Sequence, residues 1–280
     1  MDTDWLESYR GETIVVKFGG NAMIDDALTS AFAEDVVALQ RAGLRPVVTH
    51  GGGPQISAAL ALRGIRSEFR GGLRYTTAPA VLVVRDVLVA LGRELAGLIV
   101  AAGGAAEPLA GDERNLYSAT RRGTIVDGEP VDLGRVGSVV DVEATSVIEA
   151  LDAGRVPVVS AIALGSSGDG LLNVNADSAA ASLAIALGAD RLIILTDVPG
   201  LYRDWPNRDC LVTSIGTGEL ASLLSSLESG MIPKMTACLD AVTGGVTSAA
   251  IIDGRVAHSV LLKPFGASGT TVVAVERVKL

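Results

Sequence analysis

The residues best suited to chemistry in this chain are two lysines, an aspartate, an arginine and a set of glycines. Lys17 lies near the end of the apolar run Thr13 to Phe18 and just before Gly19-Gly20. An ammonium inside a buried strand is costly unless it reaches something anionic. The sequence leaves two readings: a lysine that snorkels to water, or a phosphate clamp beside the glycines. Lys234 follows Pro233, a helix-start signal, and so falls in a first helical turn. A cation there opposes the helix dipole, at a cost between a few tenths and about 1 kcal/mol. A bound phosphate would reverse that cost, and a solvated lysine would tolerate it. Asp177 closes the run Asn173-Val174-Asn175-Ala176-Asp177. It reads either as a helix N-cap or as a carboxylate grouped with the amides of Asn173 and Asn175. Their setting would be the carboxyl end of a sheet, where ligands of open α/β sheets bind. Arg74, in Gly72-Leu73-Arg74-Tyr75-Thr76, sits near a hairpin tip. It is either solvated or a planar fork for a substrate carboxylate.

The elements that must position these groups follow from periodicity. Val47-Val48-Thr49 runs into His50-Gly51-Gly52-Gly53-Pro54-Gln55, and helical spacing then begins at Ile56, Ala59 and Leu60. Strand, glycine turn and helix leave room for an anion against backbone N–H groups and a helix N-terminus. The same order occurs at Thr13 to Phe18, Gly19-Gly20-Asn21 and the helical pattern Asp25 to Ala42. Further helices are expected at Ala80 to Val100 (kinked at Gly92 and Gly97), Glu143 to Ala153, Ala176 to Leu187, Glu219 to Leu227 and Lys234 to Val242, with a short one at Ala257 to Leu262. Strands are expected at Val156 to Ser160, Leu171 to Asn175, Arg191 to Thr196, Ser248 to Ile252 and Thr271 to Val275. Phe69 to Tyr75 reads as a hairpin around Gly71-Gly72. Leu116 to Val140 reads as another, with turns at Arg122-Gly123 and Asp127-Gly128. Leu164 to Gly170 and Leu201 to Cys210, which carries Trp205, read as loops. Strands alternating with helices predict an α/β fold with an open, mainly parallel sheet sandwiched by helices.

Composition narrows the class. The chain has 280 residues, 49% of them hydrophobic and only 4% aromatic, a mixture that suits a parallel sheet under small-residue helices. A formal net charge of -9 and the lack of a basic stripe argue against nucleic-acid binding. No apolar run approaches the roughly 18 residues of a membrane helix. The acidic start lacks a signal-peptide core. Two cysteines, Cys210 and Cys238, imply neither a disulfide framework nor a metal site, and the expected location is cytoplasmic. There is no P-loop, no dinucleotide glycine fingerprint and no nucleophile elbow. The two histidines are too separated for a zinc site.

Taken in order, the motifs resemble the amino acid kinase family. They are Val15-Val16-Lys17-Phe18-Gly19-Gly20, His50-Gly51-Gly52-Gly53-Pro54-Gln55, Gly72-Leu73-Arg74, Asp132-Leu133-Gly134-Arg135, Asn173 to Asp177, Leu195-Thr196-Asp197-Val198, Gly230 to Lys234 and Ile251 to Val256. Within that family they are most similar to the branch that phosphorylates N-acetyl-L-glutamate in arginine biosynthesis. The resemblance implies ATP-dependent formation of an acyl phosphate and one kinase domain over 1–280. Its N-lobe, about 1–175, would hold the acyl amino acid and the dimer contacts, and its C-lobe, about 176–280, the nucleotide. By position, Lys17 and Lys234 would stabilise the transferring phosphoryl group, Gly20 and Gly52 would donate N–H bonds to it, and Asp177 would orient the lysines. Gly52, Gly53, Arg74 and Asn173 would bind the acyl amino acid. Asp197, Val198, Gly200, Leu201, Tyr202 and Lys234 would contact ATP, with Mg²⁺ arriving on its phosphates. The family chemistry needs positioning and positive charge rather than a covalent nucleophile.

This chain departs from the family pattern at Ala106 to Glu113, where Pro108, Ala110 and Glu113 replace a glycine, a hydroxyl and an aspartate. Lost backbone freedom at Pro108 is expected to reshape a strand near the site. That motivates a second reading, a related kinase for another acidic N-acyl or carrier-linked amino acid. A catalytically inactive regulator is a third, against which the retained Lys17, Asp177 and Lys234 argue. Lys263 stands where arginine-inhibited members carry a glutamate, and only Asp4 to Tyr9 occupies the place of their hexamer-forming helix. Weak or absent inhibition by arginine and a homodimer rather than a hexamer are therefore expected.

Overall fold

The computed structural model describes residues 4–126, 128–203, 206–207, 209–262 and 269–274. Asp127, Trp205, Lys263 and Val275, on which some expectations fell, lie outside them. An eight-stranded sheet forms the centre. From edge to edge its strands are Ser214–Gly216, Thr270–Val273, Ser248–Asp253, Arg191–Thr196, Thr13–Phe18, Arg45–His50, Val156–Ser160 and Ala106–Ala110. Neighbours are parallel except Ser248–Asp253 with Thr270–Val273.

The helices are α1 (Asp26–Arg41), α2 (Gly53–Leu62), α3 (Ala78–Ala101), α4 (Thr145–Asp152), α5 (Ala176–Ala186), α6 (Thr217–Leu223) and α7 (Ile232–Thr243). Local chemistry sets their starts. Asp25 caps α1 by accepting from Ala27 and Leu28 N–H, and Pro54 and Pro233 sit in the first turns of α2 and α7, where no intrahelical donor is needed. The sheet is buried on both sides, and alternation along each strand divides the core. Val15, Val47, Val159 and Ile194 pack toward α5 and α7. Ile14, Val16, Val48 and Val158 pack toward α1 and α3. Each such buried side chain contributes roughly 1.5–3 kcal/mol. Ala179, Ala180 and Ala184 are fully buried, so small side chains let α5 approach the sheet closely.

Several expectations change in three dimensions. The single hairpin expected from Leu116 to Val140 is two features. Tyr117–Arg121 and Val136–Val142 pair antiparallel and close a four-stranded barrel with Ile162–Gly165 and Leu171–Val174. Thr124–Val126 and Glu129–Val131 form a separate hairpin between them. Leu164 is thus in a strand, not a loop, and Leu201–Tyr202 pairs with Leu211–Val212. The helix α3 runs through Gly92 and Gly97 as one element. Pro108 leaves Ala106–Ala110 in register with Val156–Ser160 along its whole length, because an edge strand tolerates a missing donor.

Candidate active site

Parallel pairing brings the ends of Thr13–Phe18 and Arg45–His50 level, with Lys17 opposite Thr49 and Phe18 opposite His50. Both chains then enter their glycine turns side by side. Lys17 alternates to the α5 side of the sheet, where its Nζ lies 2.8 Å from Asp177 Oδ1, in ion-pair contact. Lys234, in the first turn of α7, donates from Nζ to Asp177 Oδ2 at 3.2 Å. One buried carboxylate therefore holds both ammonium groups, and the snorkelling and solvated readings of the lysines are set aside. Burial raises the Asp177 carboxyl pKa, but the charges and hydrogen bonds of Lys17 and Lys234 outweigh it and hold the group below its ordinary value. The cluster carries a net positive charge inside an acidic protein, as an anion site requires.

Asp177 is not the helix cap. Asn175 caps α5, its Oδ1 accepting from Asp177 N at 2.9 Å and Ser178 N at 3.0 Å. That leaves the aspartate free to face the lysines.

A cavity of about 220 Å³ adjoins the pair, and Gly52, Gly53, Arg74 and Asn173 line it together with Lys17 and Asp177. Arg74 is buried, not solvated at a hairpin tip. Its Nη2 donates to Gly53 O at 3.0 Å and Ser57 Oγ at 2.8 Å, and its Nη1 donates to Ser67 Oγ. Its guanidinium also lies 4.7 Å above the Phe69 ring. Asn173 Nδ2 donates to Thr76 Oγ1 at 3.2 Å, and Thr76 Oγ1 donates to Arg74 O at 3.0 Å. Ser57, Ser67 and Thr76 were not singled out by the sequence, since isolated serines and threonines carry no periodic signal. Gly20 opens a 3-10 helix, Gly20–Met23, directly after the Lys17 strand. None of Ala106 to Glu113 lines the cavity. Asp112 and Glu113 instead pair with Arg85 of α3, at 2.6 and 2.8 Å.

A second cavity, of about 450 Å³, is lined by Val198, Gly200, Leu201 and Tyr202 from the sheet side and by Leu227 and Met231 opposite. Asp197 is exposed beside it rather than on its wall. The start of α7 joins the two cavities: Met231 lines the larger, and Lys234, one turn on, reaches Asp177.

Residues 12–253 match the amino acid kinase family. A protein named acetylglutamate kinase from Kineococcus radiotolerans is 57% identical over 278 residues, covering 97% of this chain and 93% of that protein. One of the same name from Saccharopolyspora erythraea is 56% identical over 267 residues, covering 95% and 88%. Among solved structures, N-acetylglutamate synthase from Neisseria gonorrhoeae, complexed with coenzyme A and N-acetyl-glutamate, superposes with a TM-score of 0.82 at 23% identity. That match covers 97% of this chain and 61% of the synthase chain and speaks for the fold alone. With its mostly parallel sheet, its flanking helices and relatives this similar along nearly its whole length, the chain belongs to the amino acid kinase family.

Proposed function

We propose that the protein phosphorylates N-acetyl-L-glutamate in arginine biosynthesis. The γ-phosphoryl group of ATP passes to the side-chain carboxylate, giving N-acetyl-L-glutamyl 5-phosphate and ADP. The observation that carries this reading is the Lys17–Asp177–Lys234 cluster on the wall of a cavity that also presents Arg74 and Asn173. The high identity to relatives named acetylglutamate kinase supports it.

In this reading the carboxylate oxygen attacks phosphorus as the bond to the ADP oxygen breaks, and no proton need be removed from the nucleophile. The protein supplies alignment and charge. Lys17 and Lys234 neutralise oxygens on the moving group, with Asp177 fixing both ammonium groups. Gly20 and Gly52 donate backbone N–H bonds to it. Arg74 takes the α-carboxylate, while Asn173, Gly52 and Gly53 hold the acylated amine. The nucleotide fits the larger cavity, whose aliphatic side chains and Tyr202 suit a flat heterocycle and whose Arg203, Ser226 and Glu228 offer polar contacts. Its phosphates then point toward the start of α7 and Lys234. Among the described residues no three His, Cys, Asp or Glu side chains converge as metal ligands. The divalent ion, proposed as Mg²⁺, would arrive on the ATP phosphates and would offset their charge.

Among the described residues no helix is long and apolar enough to cross a membrane. We propose a cytoplasmic homodimer that responds weakly or not at all to arginine. The test of the whole reading is acyl phosphate formation from ATP and N-acetyl-L-glutamate, trapped as the hydroxamate. Turnover that requires both substrates is expected. A strong preference for another acidic N-acyl or carrier-linked amino acid, or no product at all, sinks the assignment. Micromolar inhibition by arginine, or a hexameric mass in solution, would overturn the regulatory and assembly parts.

A further inference from the structure

The reaction described above leaves one buried titratable group beside the glycine turn without a role. His50 is fully enclosed, with 0% exposure, and its Nδ1 lies 3.0 Å from the carbonyl oxygen of Gly51. A carbonyl can only accept, so Nδ1 carries the proton and Nε2 a bare lone pair. Nε2 finds no partner among the described residues. Burial lowers the imidazole pKa to about 4, against the opposing pull of the Gly51 hydrogen bond, so the ring is neutral near pH 7.

We propose that His50 is a positioning residue for phosphoryl transfer: its Nδ1–H holds the Gly51 carbonyl and thereby aims the Gly52 N–H at the transferring group. The inference rests on the kinase reading above and adds a residue to it.

The geometry follows from the peptide and the pleat. In a trans peptide the C=O of Gly51 and the N–H of Gly52 point in opposite directions. His50 is level with Phe18 and Ser160, and Phe18 packs in the core on the α1 and α3 side. Lys17 and Thr49 alternate to the opposite side, where Asp177 lies. A carbonyl drawn toward the imidazole therefore turns the following N–H toward the lysines. Consecutive glycines give the backbone unusual freedom, so without such an anchor this peptide plane is free to turn.

The helix α3 is shaped around the same ring. Gly92 lies inside it, where glycine costs roughly 1 kcal/mol relative to alanine. A Cβ at Gly92 would come within 2.9 Å of His50 Nε2. Its neighbour Leu91 bounds the turn directly, since a Cβ at Gly52 would lie 2.6 Å from Leu91 Cδ1. The helix thus braces both the ring and the residue whose N–H the ring aims.

The test is steady-state kinetics of the full chain with His50→Leu, His50→Asn, Gly92→Ala and the double variant His50→Asn/Gly92→Ala. His50→Leu is expected to lower kcat about a hundredfold, the range for a misdirected transition-state donor, with both KM values within about threefold. His50→Asn should recover most of the rate, because its amide N–H can take the place of Nδ1–H. Gly92→Ala should slow the parent roughly tenfold and add nothing in the His50→Asn background, where the clashing Nε2 is gone. A folded His50→Leu variant with parental kcat overturns the proposal, as does an equal Gly92→Ala penalty in both backgrounds. Should His50→Leu not fold, imidazole ¹⁵N spectra of the parent decide: a proton on Nδ1 is expected, and a proton on Nε2 overturns it. A parent that forms no acyl phosphate removes the kinase reading itself. An active parent with an indifferent His50→Leu removes only the role of His50.

Discussion

Around Arg74 the side chains form a hydrogen-bonded network: Ser57, Ser67 and Gly53 O take its N–H groups, and Thr76 links its carbonyl to Asn173. Around Tyr202 the wall mixes aliphatic side chains with Arg203, Ser226 and Glu228, and it is fastened to the sheet through Thr270, whose Oγ1 accepts from Leu201 N at 2.7 Å. The first cavity is about half the volume of the second. A small acid with two charges is distinguished by placed polar groups, since a site built to hydrogen-bond strongly rejects a molecule that leaves its donors unpaired. A large heterocycle can be held by shape and burial. On the proposed assignment of ligands, the contrast sets a cavity wired by side-chain hydrogen bonds against one lined mainly by aliphatic groups with three polar side chains.

Substitutions can break this contrast, beginning with the charge cluster between the cavities. If its ammonium acts on charge that develops in transfer, as proposed, Lys17→Ala is expected to lower kcat by about a thousandfold with smaller changes in either KM. An equal loss through KM alone would make it a binding residue. Arg74→Ala should raise KM for N-acetyl-L-glutamate roughly 10- to 100-fold, the range of a charged hydrogen-bonded pair, and leave KM for ATP unchanged. Gly200→Ala tests the other wall. Its Cβ would sit 2.7 Å from Thr270 Oγ1 and 3.0 Å from Leu211. An approximately five- to tenfold rise in KM for ATP alone is expected from such overpacking. A matching rise for the amino acid would mean that the cavities are not separate.

A further effect, on stability rather than on rate, lies outside both cavities. His258 Nδ1 meets Asp35 Oδ1 at 2.7 Å, tying the segment after Ser248–Asp253 to α1. Burial raises the Asp35 pKa to about 6, although the His258 hydrogen bond and charge lower it. The folded chain thus keeps a proton that the unfolded chain loses near 3.8, so this contribution is complete below that pH and lost as pH rises through about 6. At most it amounts to about 3 kcal/mol. His50 works in the opposite direction, because its folded pKa is lowered and acidification through pH 6 toward 4 destabilises the fold. Comparing melting curves of the parent and Asp35→Asn isolates the first term. The variant should gain on the parent between pH 4 and 7, and a constant difference would contradict the assignment.

Legibility in the sequence followed the range of the interactions. Val156–Ser160 and Arg191–Thr196 were delimited to the residue, because a strand buried on both faces is a continuous apolar run. Lys17 and Lys234 stood out because each breaks a local rule, a charge in an apolar strand and a cation at a helix start. The barrel did not stand out, since Leu171–Val174 pairs with the nearby Ile162–Gly165 but closes the barrel through Val136–Val142, distant in the chain. Asp177 was open between cap and carboxylate because Asn175, two residues earlier, competes for the same cap. The serines around Arg74 were invisible for the same reason: their partners are set by the fold, not by spacing.

The first turn of α7 has one further consequence. Met231 touches one cavity and Lys234 reaches into the charge cluster, and a single helical turn moves as a unit. With the ligands placed as proposed, a ligand that shifts Met231 is expected to change the ammonium position that the other ligand meets. The affinities become thermodynamically linked, and linkage is symmetric: a non-hydrolysable nucleotide must alter the dissociation constant of the acyl amino acid by the same factor with which the acid alters that of the nucleotide. Titrating each ligand with and without the other measures that factor, and a value of one would show that the shared turn transmits nothing.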